Sequence, residues 1–157
     1  MALGNHAILR LALAVLVLLA GCSPYYGRLD SSLRHQMDQA TAARAAGDRR
    51  GACAVLAAAA ARSSHPAVLI QHGRCLTETD GGVQDLAGAR AAFEQAYAMR
   101  SPLKGRAALW LAIVERQSGG SAAAQVAWLE RARALGESGT ESLLRSEERR
   151  VGKECLR

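Results

Sequence analysis

The sequence predicts an all-α protein in which antiparallel helical hairpins stack as a short α-solenoid. Three observations lead to this class. Alanine is abundant, and phenylalanine, tryptophan and tyrosine together make up only 4% of the residues, a composition that favours closely packed helices. Apolar residues recur at intervals of three and four along most of the chain. Glycine, proline and serine interrupt this pattern repeatedly, so each helix is short and ends in a turn.

The first three helices are predicted at residues 29–46, 49–62 and 67–78. The first two carry apolar stripes at helical spacing, formed by Leu33, Met37, Ala40 and Ala43 and by Ala52, Val55, Leu56 and Ala59. The turns between the helices are predicted at Gly47-Asp48, at Ser63-Ser64-His65-Pro66 and at Thr79-Asp80-Gly81-Gly82.

Three more helices are predicted at residues 84–99, 102–117 and 121–135. Their stripes contain most of the large apolar side chains of the chain: Leu86, Phe93, Tyr97, Leu103, Trp110, Leu111, Val114, Trp128 and Leu129. Ser101-Pro102 is typical of a helix start, with serine as the N-cap and proline at the first helical position. Gly119-Gly120 separates the last two helices, and Gly136 ends the sixth.

Two internal alignments indicate repetition of a hairpin unit. Residues 67–69 align with residues 107–109, and residues 93–96 align with residues 129–132. The step Gly82-Val83-Gln84-Asp85, followed by Ala89, Phe93 and Ala96, resembles Sel1-like repeats, relatives of the tetratricopeptide repeat. The resemblance covers residues 66–136 and implies a solenoid domain over residues 29–144. A three-helix bundle with extra helices is the alternative reading of the same helical pattern.

Residues 1–21 have the features of a secretion signal that ends at a lipid-modified cysteine. The apolar segment is too short for a membrane span, which needs about 20 residues. Leu19-Ala20-Gly21-Cys22 resembles the lipobox of bacterial lipoproteins. That resemblance implies acylation of Cys22, a lipidated tether over residues 22–28 and, with serine at position 23, anchoring in the outer membrane facing the periplasm.

Residues 145–157 are expected not to be native. Residues 145–155 match the codon-by-codon translation of a common DNA-sequencing adapter, so the natural protein is expected to differ from this chain beyond Leu144. A genuine charged tail is the alternative. Residues 22–144 carry fourteen lysines and arginines against eleven aspartates and glutamates. This small excess, without a dense basic patch, argues against nucleic acid as a partner.

Cys53 and Cys75 lie on consecutive predicted helices and are expected to form a disulfide, because an exported protein is in an oxidising compartment. Two buried free cysteines are the alternative. No catalytic constellation, metal site or cofactor motif is predicted. Ser101 and Lys104 form only an isolated Ser-x-x-Lys pattern, which a helix cap explains better.

The predicted function is therefore that of a scaffold, anchored to the membrane through lipid on Cys22, that binds an envelope protein. The repeat resemblance implies an assembly such as polysaccharide export or secretion. Arg74, Arg90 and Arg106 are the candidate partner-binding residues, with solvation of an alanine-rich surface as their simpler role. The alternative function is the N-terminal part of an envelope enzyme whose catalytic domain would follow residue 144.

Overall fold

Seven α-helices and no β-strand make up the part of the chain that the structure, a computed structural model, describes, residues 29–79 and 84–154. The all-α class predicted from the sequence is confirmed. The helices are α1 (Ser31–Ala45), α2 (Arg49–Ala60), α3 (Pro66–Thr77), α4 (Leu86–Ala98), α5 (Lys104–Gln117), α6 (Ala122–Ala134) and α7 (Thr140–Glu154).

Short polar side chains determine where several helices begin. Asp30, Asp48 and Asp85 each accept a hydrogen bond from the backbone N–H three residues later, at 2.8 Å, and Ser121 does so at 3.1 Å. Each bond satisfies an N–H group that has no partner inside the helix, and such a cap typically contributes about 0.5–2 kcal/mol.

The start of α5 differs from its predicted start at Ser101-Pro102. The helix begins at Lys104, and Leu103 occupies the N-cap position without a side-chain cap. Ser101 instead forms a turn before the helix, because its hydroxyl accepts from the Leu103 N–H at 3.1 Å. Leu103 is buried, and burying its side chain draws this turn against the core.

Consecutive helices run antiparallel and pack against each other. Cys53, near the start of α2, is bonded to Cys75, near the end of α3. In the same way Arg90, near the start of α4, forms an ion pair with Glu115, near the end of α5. Besides these sequence neighbours, α3 also contacts α5.

The core divides into two main clusters that share α3. One lies between α1, α2 and α3 and contains small side chains with Met37 and Leu56. The other lies between α3, α4, α5 and α6 and surrounds Phe93, which is completely buried and stacks on Trp110 with ring centroids 5.7 Å apart. Gly73 permits this packing, because a Cβ atom there would lie 2.7 Å from Cε1 of Phe93.

Helix α7 was not among the predicted helices. Gly136 and Gly139 adopt positive φ angles of 77° and 80°, and the turn they form leads into a helix that buries Leu144 against Leu129 and Ala112. Residues 145–154 extend this helix. Their non-native origin stays a prediction, because an Arg- and Glu-rich segment readily prolongs a helix whatever its source.

Several predicted features lie outside the described residues: the signal over residues 1–21, Cys22 and the tether over residues 22–28, the Gly82-Val83 step and Cys155. Among the helices that are described, none is both long and apolar enough to cross a bilayer.

Candidate functional site

A covalent bond and an arginine join α1, α2 and α3 at one end of their cluster. Cys53 and Cys75 form a disulfide with a Cα–Cα separation of 5.5 Å, an ordinary distance for such a bond. Cys75 is buried, whereas Cys53 is partly exposed. The Arg44 guanidinium, on α1, donates to Cys75 Sγ at 3.0 Å and to Glu78 Oε1 at 2.6 Å. This arginine contact was not predicted from the sequence, because Arg44 is more than thirty residues from both Cys75 and Glu78 along the chain.

A groove of about 220 Å³ lies between α1 and α3 beside this arginine. We call it the α1–α3 groove. It is lined by Met37, Ala40, Thr41, Arg44, Leu56, Gln71 and Arg74. Its floor is apolar and its rim carries two guanidinium groups, an amide and a hydroxyl, so it can hold an apolar group and hydrogen-bond polar atoms beside it.

Contacts within the protein orient the polar rim. The Thr41 hydroxyl donates to the Met37 carbonyl oxygen at 2.8 Å, and Arg74 Nη1 donates to Gln71 Oε1 at 3.0 Å. Arg74 also lies over the Trp110 ring, 5.1 Å from its centroid. The lining contains no cysteine, histidine, serine or carboxylate that could act as a nucleophile or as a general base.

The three candidate arginines are placed differently from one another. Arg74 lines the α1–α3 groove and is half-buried, and Arg90 is half-buried in its ion pair with Glu115. A cation–π contact with Trp110 holds Arg74 against the protein, and the ion pair with Glu115 does the same for Arg90. Arg106 is exposed and pairs with Glu137 at 3.0 Å. The structure therefore brings only Arg74 to the groove.

Two histidines lie at the start of α3 and within it. His65 caps α3, its Nδ1 accepting from the Ala67 N–H at 3.3 Å. His72 lies on α3, where burial lowers its pKa below the usual value and the nearby Asp85 charge partly offsets this shift. Cys75 is already engaged by Cys53. No group of three or more metal-ligating side chains occurs among the described residues.

Ser101 and Lys104, the isolated pair that resembles a catalytic pattern, are also engaged structurally. The serine forms the turn before α5, and the lysine ammonium lies 4.7 Å from the centroid of the Tyr97 ring. Comparison with protein-family models, with curated proteins and with solved structures finds no match for this chain.

Proposed function

We propose that this protein is a lipid-anchored, non-enzymatic scaffold on the periplasmic face of the outer membrane, and that it binds an envelope protein through the α1–α3 groove. The observation that carries the proposal is the order of helix packing. Each helix packs on its sequence neighbours, and α3 also reaches α5. A chain packed in this way builds an extended surface, the kind that solenoid proteins use to bind partners.

The repeat interpretation rests on equivalent burial at the aligned positions. Ala67 and Ala107 are both buried near the starts of α3 and α5, and Phe93 and Leu129 are both buried on α4 and α6. The α3–α4 and α5–α6 hairpins therefore use corresponding residues for their cores. We assign them to a Sel1-like or tetratricopeptide-like solenoid, in which stacking buries apolar faces that a single hairpin leaves exposed.

The groove favours binding over chemistry because of the groups that line it. Two guanidinium groups and an amide flank an apolar floor, a combination that suits a peptide segment with an apolar side chain beside carboxylate or carbonyl oxygens. The class of partner, a protein of an envelope assembly such as polysaccharide export or secretion, follows only from the resemblance to repeat proteins of such assemblies.

Site-specific photo-crosslinking in cells tests the groove. A photoreactive residue in place of Gln71, at the groove, should give a discrete crosslinked product on irradiation. The same residue in place of Gln95, which is exposed on α4, is the matched control and should not give that product. Identical patterns from the two positions would show that the groove is not the binding surface.

The lipid anchor requires a separate test, because it rests on the lipobox resemblance at Cys22. The Cys22→Ala variant should incorporate no labelled palmitate and should accumulate as an uncleaved precursor. Palmitate incorporation by the variant at the level of the unaltered protein would contradict the lipid anchor. It would not bear on the groove, which the crosslinking experiment tests separately.

A further inference from the structure

The two cysteines of the disulfide differ in their access to solvent. Cys53, on α2, is partly exposed, whereas Cys75, on α3, is buried with 5% of its surface accessible. A thiolate that attacks a disulfide has to reach one of the two sulfur atoms, and the rate of exchange depends on which sulfur it reaches. The packing of α2 and α3 therefore favours attack at Cys53 Sγ, with Cys75 as the leaving group.

A guanidinium lies beside the sulfur atom that would leave. Arg44 Nη2 donates to Cys75 Sγ at 3.0 Å, and Nη1 of the same group donates to Glu78 Oε1 at 2.6 Å. A neutral sulfur atom is a weak hydrogen-bond acceptor, whereas a hydrogen bond from a cation to an ionised acceptor is about twice as strong as one between neutral groups. The contact with Arg44 therefore stabilises a Cys75 thiolate more than it stabilises the disulfide.

Two features of the same environment act against the thiolate. Burial in apolar surroundings disfavours the ionised form of a cysteine, and the Glu78 carboxylate has the same sign of charge as the thiolate. Arg44 opposes both, because a neighbouring arginine favours the thiolate over the thiol. The ease with which Cys75 leaves should therefore depend on this one guanidinium.

We propose that the Cys53–Cys75 bond is a site of thiol–disulfide exchange with an external thiol, which attacks Cys53 and releases Cys75. The attacking thiolate forms a mixed disulfide with Cys53 Sγ, and the electron pair of the broken S–S bond stays on Cys75 Sγ as a thiolate beside Arg44. A dithiol reductant completes the reaction, because its second thiolate attacks its own sulfur in the mixed disulfide and releases Cys53. The protein gains two electrons and two protons, and the reductant becomes a disulfide.

This exchange site goes beyond the proposed function and depends neither on the lipid anchor nor on a partner in the groove. It has a consequence for the groove, however, because Arg44 belongs to its lining. A thiolate at Cys75 would offset the charge of one of the two guanidinium groups there, so the redox state of the disulfide would change the charge that a bound segment meets.

The position of the mixed disulfide tests which sulfur is attacked. The purified full chain is treated briefly with 2-mercaptoethanol, a neutral thiol, and free thiols are then blocked with excess N-ethylmaleimide. Mass spectrometry of the peptides that carry Cys53 and Cys75 should find the mercaptoethanol adduct on Cys53 at least about tenfold more often than on Cys75. Similar amounts on both cysteines would overturn the proposal, as would an absence of adduct from the folded chain under conditions in which the urea-unfolded chain reacts.

Variants at positions 44 and 78 separate stabilisation of the thiolate from simple shielding of the bond. Arg44→Gln should slow reduction of the disulfide by dithiothreitol about threefold or more, because the leaving thiolate loses its cation, and Arg44→Lys should restore most of the rate. Glu78→Gln is the matched control: it breaks the same ion pair but keeps the guanidinium, so reduction should not slow. An unchanged rate in Arg44→Gln would overturn the proposal. Faster reduction in both Arg44→Gln and Glu78→Gln would overturn it too, since the ion pair would then act only by holding α1 over the bond.

Discussion

The two halves of this protein hold their helices together by different means. Helices α1, α2 and α3 contain no phenylalanine, tryptophan or tyrosine, and their cluster combines alanines and a few aliphatic side chains with a disulfide and the Arg44–Glu78 ion pair. Helices α4, α5 and α6 carry Phe93, Tyr97, Trp110 and Trp128, which pack as stacked and edge-to-face pairs. Small side chains bury little apolar area each. We therefore expect the disulfide to supply in the first half the stabilisation that aromatic packing supplies in the second.

The location of the groove follows from this difference. Alanine at position 40 and the short side chain of Thr41 leave space between α1 and α3, whereas the large rings of Phe93 and Trp110 pack against each other between α4 and α5. An open groove in the first half therefore requires a compensating bond that does not occupy it. The disulfide meets that requirement because it joins α2 to α3 and leaves the α1 side of α3 open.

The largest single effect is expected in the aromatic half, from Phe93→Ala. This ring is fully buried and touches both Trp110 and the Gly73 backbone region. Its loss should lower the free energy of unfolding by roughly 3–5 kcal/mol, measured by urea denaturation. Gln95→Ala, an exposed change on the same helix, is the control. An unchanged midpoint for Phe93→Ala would mean that the aromatic rings are not what holds this half together.

The next largest effect is expected in the first half, from loss of the disulfide. The bridge closes a loop between residues 22 positions apart, and the chain-entropy model then gives about 3 kcal/mol of stabilisation. Thermal unfolding of the reduced and oxidised proteins compares the two states directly. The double variant Cys53→Ala with Cys75→Ala should match the reduced protein. If reduction changed nothing, the claim that a crosslink replaces aromatic packing would be lost.

An intermediate effect tests the helix that both halves share. In Gly73→Ala the added Cβ would meet the Phe93 ring at 2.7 Å, and this ring is fully buried and stacked on Trp110. Overpacking of this kind costs typically 1–3 kcal/mol. In Phe93→Leu, which removes the ring atoms nearest that Cβ, the glycine substitution should cost less. A double-mutant cycle measures this coupling, and strictly additive losses would show that the close approach is unimportant.

Features that depend on residues close together along the chain could be predicted from the sequence. Helical spacing located six helices to within about two residues at most ends, and the assignment of the apolar stripes agrees with the burial of Met37, Phe93 and Leu129. Helix α7 was missed because its first turn carries only Leu143 and Leu144 as apolar side chains, and the pattern weakens in the charged segment after them. The groove and the Arg44 contact were missed because they depend on how separate helices approach each other.

The placement of the arginines shows the same limit. The residues next to Arg74, Arg90 and Arg106 in the sequence do not indicate which group each arginine will contact. What differs is the residue that the next helix presents: the Trp110 ring to Arg74 and the Glu115 carboxylate to Arg90. Such partners can be identified only once the register between helices is known.

The smallest effect expected is a dependence of stability on pH that originates in α3. Burial lowers the pKa of both His65 and His72 below the usual value of 6.5, and for His72 the Asp85 charge opposes part of this shift. Below pH 6.5 the unfolded chain therefore binds more protons at these two histidines than the folded chain does. The free energy of unfolding falls as the pH decreases through the folded-state pKa values. Above pH 6.5 these two groups leave it unchanged.

Both imidazoles remain partly exposed to solvent, so this loss should be smaller than any of the three effects above. Urea denaturation at pH 7 and pH 5.5 measures it, and His65→Gln with His72→Gln should reduce the difference between the two conditions. His35→Gln, which removes an exposed imidazole from α1, controls for general effects of charge.

Because α3 belongs to both clusters, protonation of its histidines should destabilise both halves together. The near-ultraviolet circular dichroism of the aromatic half should then change in parallel with the reactivity of the disulfide in the first half. If only one of these signals responded to pH, the two halves would unfold independently and α3 would not couple them.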